Sequence, residues 1–140
     1  MTLRAQLQPE EARILLVDDS ALVRRSLREL LEANIGWKVC DEASDGHEAV
    51  AKFDEELFDV IVLDFQMPGM SGLEAARQIM QRYPRTRILM VTLHYSAQLL
   101  KEARNVGIKG VCPKADSKCV IEAVATILAN SLYFRNQAAG

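Results

Sequence analysis

Cysteine is scarce in this chain, and its count is odd. Cys40, Cys112 and Cys119 are the only three, and no spacing resembles C-x-x-C. In a reducing compartment such residues are expected as free thiols in or near the core, since unpaired cysteine is among the most buried residue types. Histidine is scarcer still: His47 and His94 lie far apart and pair with no cysteine, which argues against zinc. Long apolar runs are missing, and none approaches the roughly 18–20 residues a bilayer crossing needs. The N-terminus, MTLRAQLQPEEAR, lacks the apolar centre of a secretory signal. The expected compartment is the cytoplasm, with no membrane partner. An excess of one charge is also lacking: the formal net charge is −2, so nothing suggests a general binder of nucleic acid or anionic membranes. No internal repeat, low-complexity stretch or internal linker divides the chain.

What is present suits one domain. The chain has 140 residues, 49% of them hydrophobic and 26% charged, an ordinary globular balance with material for one core. Short apolar runs alternate with stretches of helical period. ILLV (Ile14 to Val17) predicts a strand, and a helix is expected from about Leu22 to Asn34, with Leu27, Leu30 and Leu31 in one stripe and Gly36 as its end. Trp37 to Cys40 is a shorter second strand. Asp45, with Glu48 three residues on, predicts a capped helix to about Glu55. Asp59 to Leu63 is the third strand. Ser71 and Glu74 have the spacing of a capping box, and the helix they open has Leu73, Ala76, Ile79 and Met80 as its inner face, with Pro84 in the turn beyond. ILMV (Ile88 to Val91) is the fourth strand. A helix from about Ser96 to Asn105 is closed by Gly107. Lys109 to Cys112 is a brief fifth strand, and the last helix starts near Asp116 or Ser117 and reaches about Asn130. Strand and helix alternate five times, which predicts a parallel sheet covered by helices on both faces.

In open α/β sheets ligands bind beyond the carboxyl ends of the strands. Strand one leads into Asp18 and Asp19, strand three into Asp64, strand four into Thr92, and strand five through Pro113 into Lys114. Each residue alone has a plain explanation. Asp18, Asp19 or Ser20 can cap the next helix; threonine suits a strand; a lysine after a strand is usually a solvated charge. Their joint placement is the informative part, because a parallel sheet gathers all of them at one edge. Asp64 is expected where its strand leaves the core, at the mouth of a shallow cleft.

Three carboxylates brought together repel, and one protonates unless a cation joins them. Oxygen donors without Cys or His select Mg2+ over zinc or copper, and Mg2+ keeps positions for water and phosphate oxygens. Lys114 can hold a phosphate oxygen as a point charge and Thr92 can donate to another. Asp64 can be a nucleophile that forms an acyl phosphate, in a reaction that needs positioning and charge neutralisation above all.

These pieces, ILLVDDS, VIVLDFQMPGMSGLEA, ILMVT and the lysine of VCPKADS, resemble a response-regulator receiver domain over about residues 12 to 130. Residues 1–11 are then an N-terminal extension and 131–140 a tail or the start of a linker. The resemblance implies a flavodoxin-like doubly wound parallel (βα)5 sheet with strand order 2-1-3-4-5. It implies that Asp64 accepts a phosphoryl group from the phosphohistidine of a sensor histidine kinase or phosphotransfer protein. Asp19 and Asp64 would ligate Mg2+ directly, the backbone carbonyl of Gln66 would be a third ligand, and Asp18 would act through metal-bound water. Thr92 and Lys114 would grip the phosphate, and the face of helix four, strand five and helix five would shift for a partner to read. Such a protein phosphorylates and dephosphorylates itself and turns over no external substrate.

Some positions depart from the family pattern. Val111 stands where many members carry an aromatic residue, with Tyr95 as a substitute near Thr92. Ala115 follows Lys114 where many have proline, so no cis bond is expected there, since a non-proline cis bond costs about 3 kcal/mol. Gln66 and His94 flank the expected phosphate. LVRRSLRELLE, LEAARQI and AVATILANSLYF are most similar to receivers of the NarL/FixJ type, which usually continue into a DNA-binding helix-turn-helix. No such module is expected in this chain, which is either a stand-alone receiver acting by protein–protein interaction or one cut at a linker beginning RNQAAG. Homodimers of such receivers use helices one and five, or the face of helix four, strand five and helix five. Two rival readings are an aspartyl-nucleophile phosphatase, for which Gln66 stands where a second aspartate is needed as acid, and a degenerate receiver that only binds.

Overall fold

Ile14, Leu15, Leu16 and Val17 are all fully buried, as are Val60, Ile61, Val62 and Leu63. Such runs can satisfy both their side chains and their backbone only in the middle of a sheet covered on both faces. The structure, a computed structural model, describes residues 11–134. Most of the expected N-terminal extension and of the 131–140 tail thus falls outside the described residues. The elements are β1 (Ala12–Val17), α1 (Ala21–Glu32), β2 (Trp37–Ala43), α2 (Gly46–Glu55), β3 (Val60–Asp64), α3 (Gly72–Arg82), β4 (Ile88–Thr92), α4 (Ala97–Val106), β5 (Gly110–Pro113) and α5 (Ser117–Leu128). The five strands form one sheet in the order β2-β1-β3-β4-β5, all neighbours parallel. This is the flavodoxin-like arrangement expected from the sequence.

Side chains alternate across each strand. Ile14, Leu16, Val60, Val62, Leu89 and Val91 pack with Leu27 and Leu31 of α1 and with Val120, Ala123, Val124 and Ile127 of α5. Leu15, Val17, Ile61, Leu63, Ile88 and Met90 pack with Val50 and Phe53 of α2, Leu73, Ala76 and Ile79 of α3, and Leu99 and Ala103 of α4. Met80, expected on the inner face of α3, is only partly buried there, and Ala75 is fully buried instead.

Several boundaries differ from the expectations for physical reasons. β2 continues past Cys40 to Ala43, because its charges are neutralised at the surface: Asp41 pairs with Lys52 at 3.0 Å, and Glu42 with Arg24 and Arg28 at 2.8 and 2.6 Å. α1 closes at Ala33 rather than at Gly36, whose φ of +87° serves the turn into β2. The caps form, but the boxes do not close. Ser71 Oγ accepts the Glu74 N–H at 3.2 Å while the Glu74 carboxylate faces Arg77, and Glu48 reaches back to Ser44 rather than to the cap residue Asp45.

One expectation is overturned. Cys112 and Cys119 are joined as a disulfide between the end of β5 and the first turn of α5, their Cα atoms 6.0 Å apart, and only Cys40 is a free thiol. A spacing of seven residues carries no sign of this in the sequence. The connection after β5 reverses the chain so that the strand end and the helix start face each other, within the Cα separation a disulfide spans.

Candidate functional site

The parallel ladder carries its polar residues to one rim. Beyond the strand ends, the N–H of Asp18 donates to Ala43 O at 3.1 Å, that of Phe65 to Val91 O at 3.0 Å, and that of Lys114 to Thr92 O at 2.7 Å. These bonds fix the backbones of the site against one another before any side chain is considered. Asp18 and Asp64 are as buried as the core, at 0% and 2% exposure, and Thr92 is at 1%. The site is thus deeper than the shallow cleft expected, and only Asp19 faces outward. Burial is possible because α3 comes close: a Cβ on Gly72 would lie 2.1 Å from the Asp64 carbonyl oxygen. The glycine is what lets that helix start against the strand end.

Carboxylate oxygens of Asp18, Asp19 and Asp64 lie within 4.8 Å of one another. The Lys114 ammonium bridges two of them, 2.7 Å from Asp18 Oδ2 and 3.2 Å from Asp64 Oδ2. Asp18 is held from behind by neighbours whose roles were not visible in the sequence. The N–H of Ser20 donates to its Oδ1 at 2.9 Å, and Arg24 donates to its carbonyl at 2.6 Å. Thr92 Oγ1 accepts the N–H of His94 at 2.9 Å. Gln66 and His94 are exposed beside the rim, Tyr95 packs half-buried against the α2–α3–α4 layer, and Val111 is fully buried in that layer. The Lys114–Ala115 bond is trans.

The electrostatics are those of a crowded, dry site. Burial, and then the negative charge of Asp18, push the Asp64 carboxyl above the usual carboxylate range; Lys114 and the Gln66 N–H pull it down without cancelling that push. Burial works against the Lys114 charge, but its hydrogen bond to Asp18 and the nearby Asp64 carboxylate outweigh this and hold the ammonium above the ordinary lysine value. Asp18 Oδ2 is buried, with the Lys114 ammonium 2.7 Å away as its neighbour. Three carboxylates gathered around a single ammonium, in a cluster whose donors are all oxygen, fit a small hard divalent cation. The chemistry available is therefore nucleophilic attack by a carboxylate beside a fixed cation, with room for charge compensation on the opposite side.

A doubly wound sheet with an acidic cluster and a lysine at its carboxyl edge defines a class, and the comparisons agree on it. The family model of the response regulator receiver domain matches residues 14–126, and the chain belongs to that family. It is 37% identical over 121 residues to the transcriptional activator protein ExaE of Pseudomonas putida, covering 86% of this chain and 56% of that protein. It thus spans somewhat more than half the length of that relative. Among solved structures it resembles a two-component response regulator of the LuxR family from Aurantimonas sp. SI85-9A1, with a TM-score of 0.88, 35% identity, and coverage of 93% of this chain and 94% of that one. It also resembles a chain of the CheX–CheY–BeF3–Mg complex of Borrelia burgdorferi, with a TM-score of 0.80, 29% identity, and coverage of 84% and 90%.

Proposed function

We propose that this chain is the phosphoacceptor switch of a two-component system, with Asp64 as the acceptor. The observation that carries the reading is Lys114 bridging Asp18 and Asp64 inside a cluster that also includes Asp19. A carboxylate oxygen of Asp64 attacks the phosphorus of a phosphohistidine on a sensor kinase or phosphotransfer protein. The new P–O bond forms as the P–N bond breaks, and the histidine nitrogen leaves. The Lys114 ammonium is already at the acceptor and neutralises charge on the incoming phosphoryl oxygens. The Thr92 hydroxyl is held at the rim, where it donates to one of those oxygens. Asp19, Asp64 and the Gln66 carbonyl would hold Mg2+, with Asp18 acting through metal-bound water; that ion would supply the remaining charge neutralisation. The Borrelia complex, which contains Mg and beryllofluoride, supports this assignment.

The acyl phosphate adds nearly two negative charges and three acceptors at a buried point, which biases the equilibrium between conformations of the face formed by α4, β5 and α5. The chain acts only on its own Asp64, in the cytoplasm. The named function of the relative, transcriptional activation, supports an output on gene expression through a segment outside this chain, which itself binds no nucleic acid. The test is incubation with a small-molecule phosphodonor and Mg2+ followed by intact mass. One phosphoryl group is expected on the chain and none on Asp64→Asn. Phosphorylation of the asparagine variant to the same extent would refute the assignment.

A further inference from the structure

The chain does not leave the domain when α5 ends. Asn130 takes a left-handed φ of 66°. Its N–H and that of Ser131 donate to the Ile127 and Thr126 carbonyls at 2.9 and 3.1 Å, the paired bonds of a Schellman turn. Arg87, just before β4, grips Asn130 Oδ1 through Nε at 3.1 Å and Nη2 at 2.7 Å. The turn sends residues 131–134 back along the open edge of β5. There Tyr133 donates its N–H to Lys109 O at 2.8 Å and accepts the Val111 N–H at 3.3 Å, making a parallel bridge with Gly110.

The side chains follow the backbone. Tyr133 packs toward the α1–α5 layer and Phe134 toward the α2–α3–α4 layer, the alternation of a strand. Tyr133 Oη lies 3.0 Å from Glu122, and the Arg104 guanidinium sits 4.1 Å over the Phe134 ring. Gly110 leaves the space: a Cβ there would lie 2.6 Å from Tyr133 O and 3.1 Å from Tyr133 Cβ.

We infer that residues 131–134 are a detachable sixth strand, a strap on the β5 edge whose docking is coupled to the state of Asp64. The coupling rests on the phosphoacceptor reading above. β5 is four residues long. One end carries the strap at Gly110 and Val111. The other runs into Lys114, tied by its N–H to Thr92 and by its ammonium to Asp18 and Asp64. A phosphoryl group on Asp64 draws Lys114 and Thr92 toward itself, and so short a strand passes the shift to its far end. The strap, with one bridge residue at a sheet edge, lies at the low end of local stability. Docked, it closes the β5 edge to any other strand. Released, it frees that edge. The coupling is reciprocal, so loosening the strap must also alter loading of Asp64.

The test is amide hydrogen exchange by NMR on the 140-residue chain, with and without Mg2+ and beryllofluoride. Loading is reported independently by shifts at the Asp64 and Thr92 amides. Loading is expected to speed exchange of the Val111 and Tyr133 amides about tenfold while core amides such as Val62 hold. Gly110→Ala is expected to expose both amides in both states. Arg104→Ala alters only the exposed face of α4 and is expected to do so more weakly, which covers the case of a poorly folded Gly110 variant. Loading that leaves Val111 and Tyr133 unchanged would overturn the coupling and spare the phosphoacceptor reading. No loading at all would overturn both. Wild-type protection of these amides in a folded Gly110→Ala would overturn the strap.

Discussion

Asp64 shows how a single residue can be costly to the fold and still belong there. Its carboxyl is pushed up by burial and by Asp18. Well below the ordinary carboxylate range it is protonated in both the folded and unfolded chain and makes no difference. As pH rises through that range the unfolded chain ionises first, so the fold loses stability until pH passes the raised native value. Asp64→Asn is therefore expected to raise Tm at pH 7 by about 2–5 °C, with the gain shrinking toward pH 4, as measured by calorimetry across pH. Added Mg2+ should raise Tm of the parent more than of the variant, because a cation that binds only the folded cluster stabilises it by mass action. Gly72 is the complementary case. Gly72→Ala sets a methyl against the Asp64 carbonyl and is expected to cost about 3 kcal/mol or more in urea unfolding.

At the scale of elements, β2 was the strand least visible in the sequence, because WKVCDEA carries two carboxylates that read as loop. The ion pairs that admit them come from helices on either side, α1 through Arg24 and Arg28 and α2 through Lys52. Burial alone would raise Glu42; the hydrogen bonds and charges of Arg28 and Arg24 outweigh it and hold its carboxyl below its ordinary value of 4.5. A lowered carboxylate stabilises the fold above the unfolded value and loses that contribution as pH falls through the native one. Glu42→Gln is thus expected to cost about 1 kcal/mol at pH 7 and nothing measurable once pH is well below 4.5, as read from urea midpoints. Helix starts were easier to place, since Asp45, Ser71 and Ser96 each cap the helix that follows with their own side chain. The second half of each capping box failed because Glu48 and Glu74 found nearer partners, which spacing alone cannot reveal.

For the whole molecule, the order β2-β1-β3-β4-β5 places the two buried carboxylates beside each other, since β1 and β3 are neighbours in the sheet although 46 residues separate Asp18 from Asp64. The turn after β5 brings Cys112 to Cys119, seven residues on. Alkylation in denaturant without reductant is expected to label one thiol, Cys40, and all three only after reduction. Labelling of all three in the unreduced protein would refute that pairing. The last described residues extend the sheet by one bridge beyond β5, an addition that the tail's composition did not announce.

The sequence by itself determined the alternation of strands and helices, the burial of ILLV, VIVL and ILMV, and the position of each polar residue at a strand end, because period and strand polarity are local properties of the chain. Tertiary structure alone decided the depth of Asp64, the bridge from Lys114 to both buried carboxylates, the support of Asp18 by Arg24, the disulfide and the strap on β5. The depth of Asp64, the Lys114 bridge and the strap depend on distances between segments remote in sequence, whereas the disulfide and the Arg24 contact span seven and six residues and depend on how one turn is folded. Packing sets those distances, through residues such as Gly72 and Gly110 that matter for the side chain they lack.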